Sequence, residues 1–224
     1  MDKPAKNPFY FYTRQNLIYL TARKAKNLIE LLDDIKEAPS SSIYYHTHHY
    51  LQQHEYLSPE PPNDFAYWIK NVYQENVLAE RLASMDLRTF NRLRDIRLQL
   101  IEIIQEVINS EGFADRNVPK GMEFHFMKAQ TFIFPTKIQA NNLLEFKESL
   151  AKVSLNSIYF HMFESRLRLE SDLCDFSIWL RDSLGEDKLA KEFSSLDPYT
   201  HTLESLRSKI IKLIAKRIEE VANV

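Results

Sequence analysis

Apolar residues along this chain follow two spacings. Over Phe9–Thr21 and again over Phe124–Thr136, aromatic and β-branched residues crowd together, which predicts a short strand or extended segment at each place. Beyond each segment the spacing lengthens to three and four residues. Ala25, Leu28, Leu31, Leu32 and Ile35 mark one face of a helix over about 21–37, and Leu143, Phe146 and Leu150 mark its counterpart. Thr21 and Thr136 are the expected N-caps, since a hydroxyl there can accept from an unpaired first-turn N–H. A further helix is expected to start at Ser41 or Ser42, matched by Asn156 or Ser157. The Pro-rich stretch Ser58–Asn63 then breaks the chain. Asn63 or Asp64 is expected to cap the next helix, and a short helix follows at about 76–84. Asp86 is expected to cap a long final one to about 108, striped by Leu93, Ile96, Leu100, Ile103, Ile104 and Val107. Asp197-Pro198 repeats that start signal, a cap followed by proline at the first helical position. The fold class expected is mainly α with minor β.

The pattern occurs twice. Ser42-Ile43-Tyr44-Tyr45-His46 returns as Ser157-Ile158-Tyr159-Phe160-His161, an offset of 115 that also carries Phe9 to Phe124, Phe11 to Phe126, Asn27 to Asn142 and Leu28 to Leu143. After the histidine the second copy is four residues shorter and the offset becomes 111, carrying Asp64-Phe65 to Asp175-Phe176 and Trp68 to Trp179. Both tryptophans therefore hold one equivalent position. Residues 110–121 contain Gly112, Pro119 and Gly121 and read as a linker, so repeat unit one is placed at 7–109 and repeat unit two at 122–222. The expected architecture is a pseudo-twofold tandem repeat of a helical unit.

Composition narrows the chemistry. With 29 Lys and Arg against 31 Asp and Glu, the net charge of −2 gives no general grip on nucleic acid or anionic lipid. The single cysteine, Cys174, rules out an intramolecular disulfide and a cysteine zinc knuckle. Three glycines are too few for a phosphate-cradling loop, and no particular cofactor is implied. No apolar stretch approaches the ~20 residues that span a bilayer, and the N-terminal residues hold no apolar signal core, so a cytoplasmic protein is expected.

The repeat sorts the candidate residues. Positions kept in both copies are explained most simply by the shared fold; positions found in one copy are released from that demand. His46 and His161 are kept. Either both imidazoles converge near the interface between the copies and bind a metal or ligand jointly, or each is bonded within its own unit to the Asp that starts the next helix. His48, His49 and His54 occur in unit one alone, where unit two has Phe163 and Glu164 at the first two positions. His46, His49 and His54 are candidate metal ligands, with Glu55 or Asp64 as oxygen donors, and an incidental polar helix face is the alternative. Asp64 and Asp175, each followed by Phe and by Trp four residues on, read either as acid–base groups beside an aromatic pocket or as helix caps. Asn27 and Asn142 are expected inside apolar helices as buried amides fixing register. Arg88, Arg92, Arg94 and Arg97 could hold an anion or pair with Glu75, Glu80 and Asp95; a shifted match between Arg97 and Arg207 favours a structural role for Arg97. Cys174 reads as a small core residue.

Ser-Ile-Tyr-Tyr-His at 42–46, Asn-Asp-Phe-Ala-x-Trp at 63–68, Leu-Ala-Glu-Arg-Leu at 78–82 and Phe-His-Phe-Met-Lys-Ala-Gln at 124–130 together resemble a prokaryotic family of unknown function. The resemblance covers nearly the whole chain and implies that both halves belong to the family unit; it supplies no catalytic residues. The functional expectation is a cytosolic binding or regulatory module with an aromatic–histidine pocket, its ligand set being His46, His161, His48, Tyr44, Tyr159 and Asp64. Its ligand would be a small molecule or a protein, not nucleic acid or membrane, with a homo-oligomer left open. A metal-binding protein or enzyme using His46, His161 and the unit-one histidines is the rival, and a structural or oligomer-forming protein the third reading.

Overall fold

The computed structural model describes residues 3–48, 63–110, 114–196 and 202–222. It is mainly helical with one small antiparallel sheet of two strands, β1 (Phe9–Ala25) and β2 (Phe124–Ala140). Both strands run longer than the pattern predicted. Thr21 and Thr136 do not cap helices; they lie within the strands and donate their hydroxyls to Phe126 O at 2.6 Å and Phe11 O at 2.7 Å. Pro135 sits inside β2, which a sheet of two edge strands tolerates.

The helices after each strand start later than predicted, at Leu28 and Leu143, because Asn27 and Asn142 are the true N-caps. Each adopts extended backbone, and its side-chain oxygen accepts from the N–H of Glu30 at 2.9 Å or Glu145 at 2.7 Å. The two asparagines are thus helix starters rather than amides buried within a helix, the position their side chains suit best.

The chain forms two compact units: residues 1–15 with 131–224, drawn from two stretches of sequence, and residues 16–130, a single stretch. These bounds differ from the 7–109 and 122–222 of the sequence pattern, because each strand gives its first part to one unit and its remainder to the other.

In the unit of residues 16–130, α1 (Leu28–Glu37) and α2 (Ser40–His48) precede α3 (Asp64–Trp68), which continues as a π-helical turn over Ile69–Tyr73. Then come α4 (Asn76–Ala83), a 3₁₀ turn at Leu87–Thr89 and α5 (Leu93–Ser110). The long helix therefore starts later than Asp86. Phe65 stacks on Phe124 at 5.1 Å, and Phe126 closes the same buried cluster. Arg97 donates to Ile35 O at 2.7 Å and to Lys36 O at 3.1 Å, satisfying last-turn carbonyls of α1.

In the unit of residues 1–15 and 131–224, α6 (Leu143–Lys152) is followed by α7 (Leu155–Tyr159), a π turn at Phe160–Glu164 and α8 (Ser165–Leu169). Next are α9 (Asp175–Trp179), a π turn at Leu180–Leu184, α10 (Asp187–Ser194) and α11 (Leu203–Ala222). Phe9, Phe11, Phe146 and Phe176 make its aromatic core, with ring centroids 4.8–6.1 Å apart. Burying each such ring contributes roughly 2–3 kcal/mol. The Pro-rich stretch before Asn63 and Asp197-Pro198 lie outside the described residues.

Candidate functional site

Two histidines are held in matching ways, each inside its own unit. His161, on the π turn that follows α7, is 3 % exposed. Its Nδ1 lies 2.8 Å from Asp175 Oδ2, and its Nε2 accepts the backbone N–H of Tyr12 at 2.8 Å. An N–H aimed at Nε2 leaves no room for a proton there, so the proton sits on Nδ1 and is donated to the carboxylate. Burial among Phe9, Phe11 and Phe176 pushes the pKa of the ring down, while the Asp175 carboxylate pulls it back up. His46 at the end of α2 repeats the arrangement: Nδ1 to Asp64 Oδ2 at 2.8 Å, and Nε2 accepting from Met127 N–H at 2.9 Å.

The surroundings of the two carboxylates differ. Asp175, the first residue of α9, also receives Arg168 Nη2 on Oδ2 at 2.6 Å. The Arg168 guanidinium lies over the Phe160 ring, 5.0 Å from its centre. A cavity of about 540 Å³ opens beside this group. Phe9, Tyr10, Tyr12, Phe160 and Trp179 supply ring surfaces, Ile133, Leu169 and Ile178 supply aliphatic ones, and Arg168, Asp175, Asp182 and Ser183 are its polar groups beside His161. A cavity walled by aromatic groups with a few convergent polar ones is the usual form of a ligand site. Asp175 Oδ1 has no polar partner among the described residues, while Oδ2 is held twice, so the carboxylate is fixed in place with one acceptor to spare. Two of the three described π turns border the cavity, one bearing Phe160 and His161 and the other Asp182 and Ser183; such turns recur at functional sites because the extra residue re-aims side chains.

With Nε2 engaged by a backbone N–H, His161 has no free nitrogen to act as a base on a ligand. Cys174 is fully buried, and burial pushes its thiol pKa up, away from a reactive thiolate. Its sulfur instead accepts from Ser177 N–H at the start of α9, so Cys174 rather than Asp175 is the N-cap.

Residues 6–215 match the model of a family of unknown function (DUF5752). The chain belongs to that family. It is also similar to a solved structure, that of OrfY from Thermoproteus tenax, at 27% identity with a TM-score of 0.81, over 96% of this chain and 97% of that one. No curated protein matches. The family description adds no assigned residues, so the site rests on the geometry of this member.

The remaining sequence candidates take different places. Tyr44 and His48 are buried against each other in α2, rings stacked at 5.4 Å and 8°, and Thr47 Oγ1 lies 2.8 Å from His48 Nδ1. Tyr159 is fully buried beneath the Arg14 guanidinium, 4.5 Å from the ring centre. None of these three lines the cavity beside His161, nor do His46 and Asp64. His49 and His54 lie outside the described residues, so of the metal set only His46 is placed, with both ring nitrogens in hydrogen bonds. Among the described residues no three His, Cys, Asp or Glu side chains gather as a metal site. Arg168 went unnoticed in the sequence because it lies in the stretch between His161 and Asp175, four residues shorter than that between His46 and Asp64. Being absent from the shared pattern was itself the signal. Arg14 and Glu164, an ion pair at 2.8 Å, carry the same mark, since the residues that match them in the sequence pattern are Ala129 and His49.

Proposed function

We propose that this family member is a binding module whose ligand site is the aromatic–histidine cavity in the unit of residues 1–15 and 131–224. The observation that carries the reading is the Asp175 carboxylate, fixed on one oxygen by His161 and Arg168 and offering the other beside a wall of rings. A ligand with an apolar body and a hydrogen-bond donor suits it, the rings giving affinity and Asp175 direction. Paired elements support reading the chain as two tandem copies: equal strand lengths, matching Asn caps and two His–Asp bonds of 2.8 Å. Among the described residues an arginine joins the His–Asp pair in only one of them, Arg168 on Asp175, which supports a divergence in use. The even charge balance supports a ligand other than nucleic acid, and a lone buried cysteine suits the cytosol. No described helix is long and apolar enough to cross a membrane.

Trp179 lines the cavity, so Trp68→Phe leaves a single fluorescent reporter at the site. Titration with a panel of aromatic amines should change Trp179 emission saturably. Asp175→Asn, which keeps shape and removes charge, should weaken that binding about tenfold or more. A panel that leaves Trp179 unmoved, or an Asp175→Asn protein that binds unchanged, sinks the reading.

A further inference from the structure

Charge in the cavity comes already matched. Three charged residues line it, Arg168, Asp175 and Asp182. Arg168 Nη2 donates to Asp175 Oδ2 at 2.6 Å. Asp182 is held from outside the lining by Arg181, whose Nε and Nη2 donate to its two oxygens at 2.6 and 3.0 Å. That two-point bond lowers the pKa of Asp182 and raises that of Arg181, so both stay ionised as a pair. His161 carries one ring proton and no charge, because its Nε2 accepts Tyr12 N–H. Each charge of the lining thus has its counter-charge within hydrogen-bonding reach before a ligand arrives.

An ion gains little from such a wall. Entering among the rings strips it of water, and no unpaired opposite charge makes up the loss. An ammonium on Asp175 Oδ1 would share the carboxylate with Arg168, a like charge held on the neighbouring oxygen. The Phe160 ring, whose face attracts cations, already carries that guanidinium 5.0 Å from its centre. A ligand carboxylate meets the converse problem, since the one cation in the lining is bound to Asp175. An uncharged ring gives up little water, packs on the aromatic wall, and needs only an N–H or O–H to use Oδ1. We infer that the ligand is an uncharged aromatic molecule with such a donor, and that Arg168 sets this preference by neutralising Asp175. This rests on the proposed cavity site and names the class of molecule it takes.

Three probes of similar size and different charge test the inference: aniline, uncharged at neutral pH, benzylammonium and benzoate. Each is titrated against Trp179 emission in the Trp68→Phe protein. Aniline should bind at least tenfold more tightly than either ion. Arg168→Gln keeps a hydrogen-bond donor for Asp175 but removes the guanidinium charge, leaving the carboxylate without its counter-ion. Benzylammonium should then gain at least tenfold relative to aniline, a gain that a variant damaged in folding would not give. Asp175→Asn frees the guanidinium instead and should move the preference toward benzoate, by a similar factor. Protein with Arg168 and Asp175 intact that takes benzylammonium or benzoate as tightly as aniline overturns the inference and leaves the cavity site standing. An unchanged order of the three probes in either variant, once its helical circular dichroism shows it folded, does the same. A Trp179 that none of the probes and no other aromatic amine moves removes the site and the inference together.

Discussion

Acid can act on His161 only by adding a proton to Nε2, the nitrogen that accepts Tyr12 N–H at 2.8 Å. Burial already holds the pKa of the ring below its ordinary 6.5, with Asp175 opposing. The unfolded chain therefore takes up that proton near pH 6.5 while the folded one does not, and in the window just below 6.5 the unfolded state binds more protons. Stability from this group is complete above about pH 6.5 and is lost as pH falls toward the folded value, with a limiting slope of about 1.4 kcal/mol per pH unit. Glu164 works the other way, since burial raises its pKa and acid relieves it. The two separate in a difference experiment. His161→Gln can keep an acceptor for Tyr12 N–H but cannot titrate, so its melting temperature should fall less than wild type between about pH 7 and pH 5. Parallel profiles would exclude His161 as the source. The His–Asp bond was legible as one of two readings, because a kept histidine and a kept aspartate at a helix start are natural partners. Arg168 was not legible as its third member, since folding alone brings residue 168 back onto the start of α9.

At the scale of elements, periodicity located the helices but not how they begin, continue or stop. Asparagine is a better cap than threonine at these sites because it ends the strand in extended backbone and reaches the third N–H, whereas Thr21 and Thr136 are content in a sheet. The π turns were invisible, since one extra residue per turn leaves no mark on an apolar stripe only one or two turns long. Two of them follow the tryptophans and end in the left-handed region, at Gln74 with φ 62° and Gly185 with φ 75°. A side chain at such a φ is strained by roughly 1 kcal/mol relative to glycine. Gln74→Gly should therefore raise stability by about that amount. Gly185→Ala should lower it similarly, through backbone strain rather than collision, for the added Cβ would lie 3.5 Å from the flexible Lys3 Nζ. Urea denaturation of both variants measures this. Equal stability of Gln74→Gly and wild type would mean the turn relaxes without cost.

For the whole molecule, the sequence pattern and the compact units divide the chain differently, and fragments can tell which division matters for folding. Asn27, His46, Trp68 and their matches keep their spacing in the sequence, but a spacing says nothing about which partner completes a core. Residues 7–109 contain Phe65, Trp68 and His46 without the groups that complete them: the rings of Phe124 and Phe126, Met127 N–H for His46 Nε2, and Met122 O for Trp68 Nε1 at 2.8 Å. Losing one buried phenylalanine ring costs about 3–5 kcal/mol, so losing two approaches the 5–15 kcal/mol that stabilises a typical domain. A fragment of residues 16–130 keeps all of these contacts and drops instead Phe9 and Phe11, which serve the other unit. It should therefore show helical circular dichroism with a cooperative urea transition. The fragment 7–109, although it follows the repeat in the sequence, should show neither a sharp transition nor slow amide exchange in α2 and α3. The same logic applies to 122–222, which lacks Phe9, Phe11, Tyr12 N–H and the Asn7 carbonyl that receives Trp179 Nε1 at 2.8 Å. If 7–109 folded as cooperatively as 16–130, β2 would be an accessory to its core rather than a part of it, and the repeat period would mark the folding unit after all.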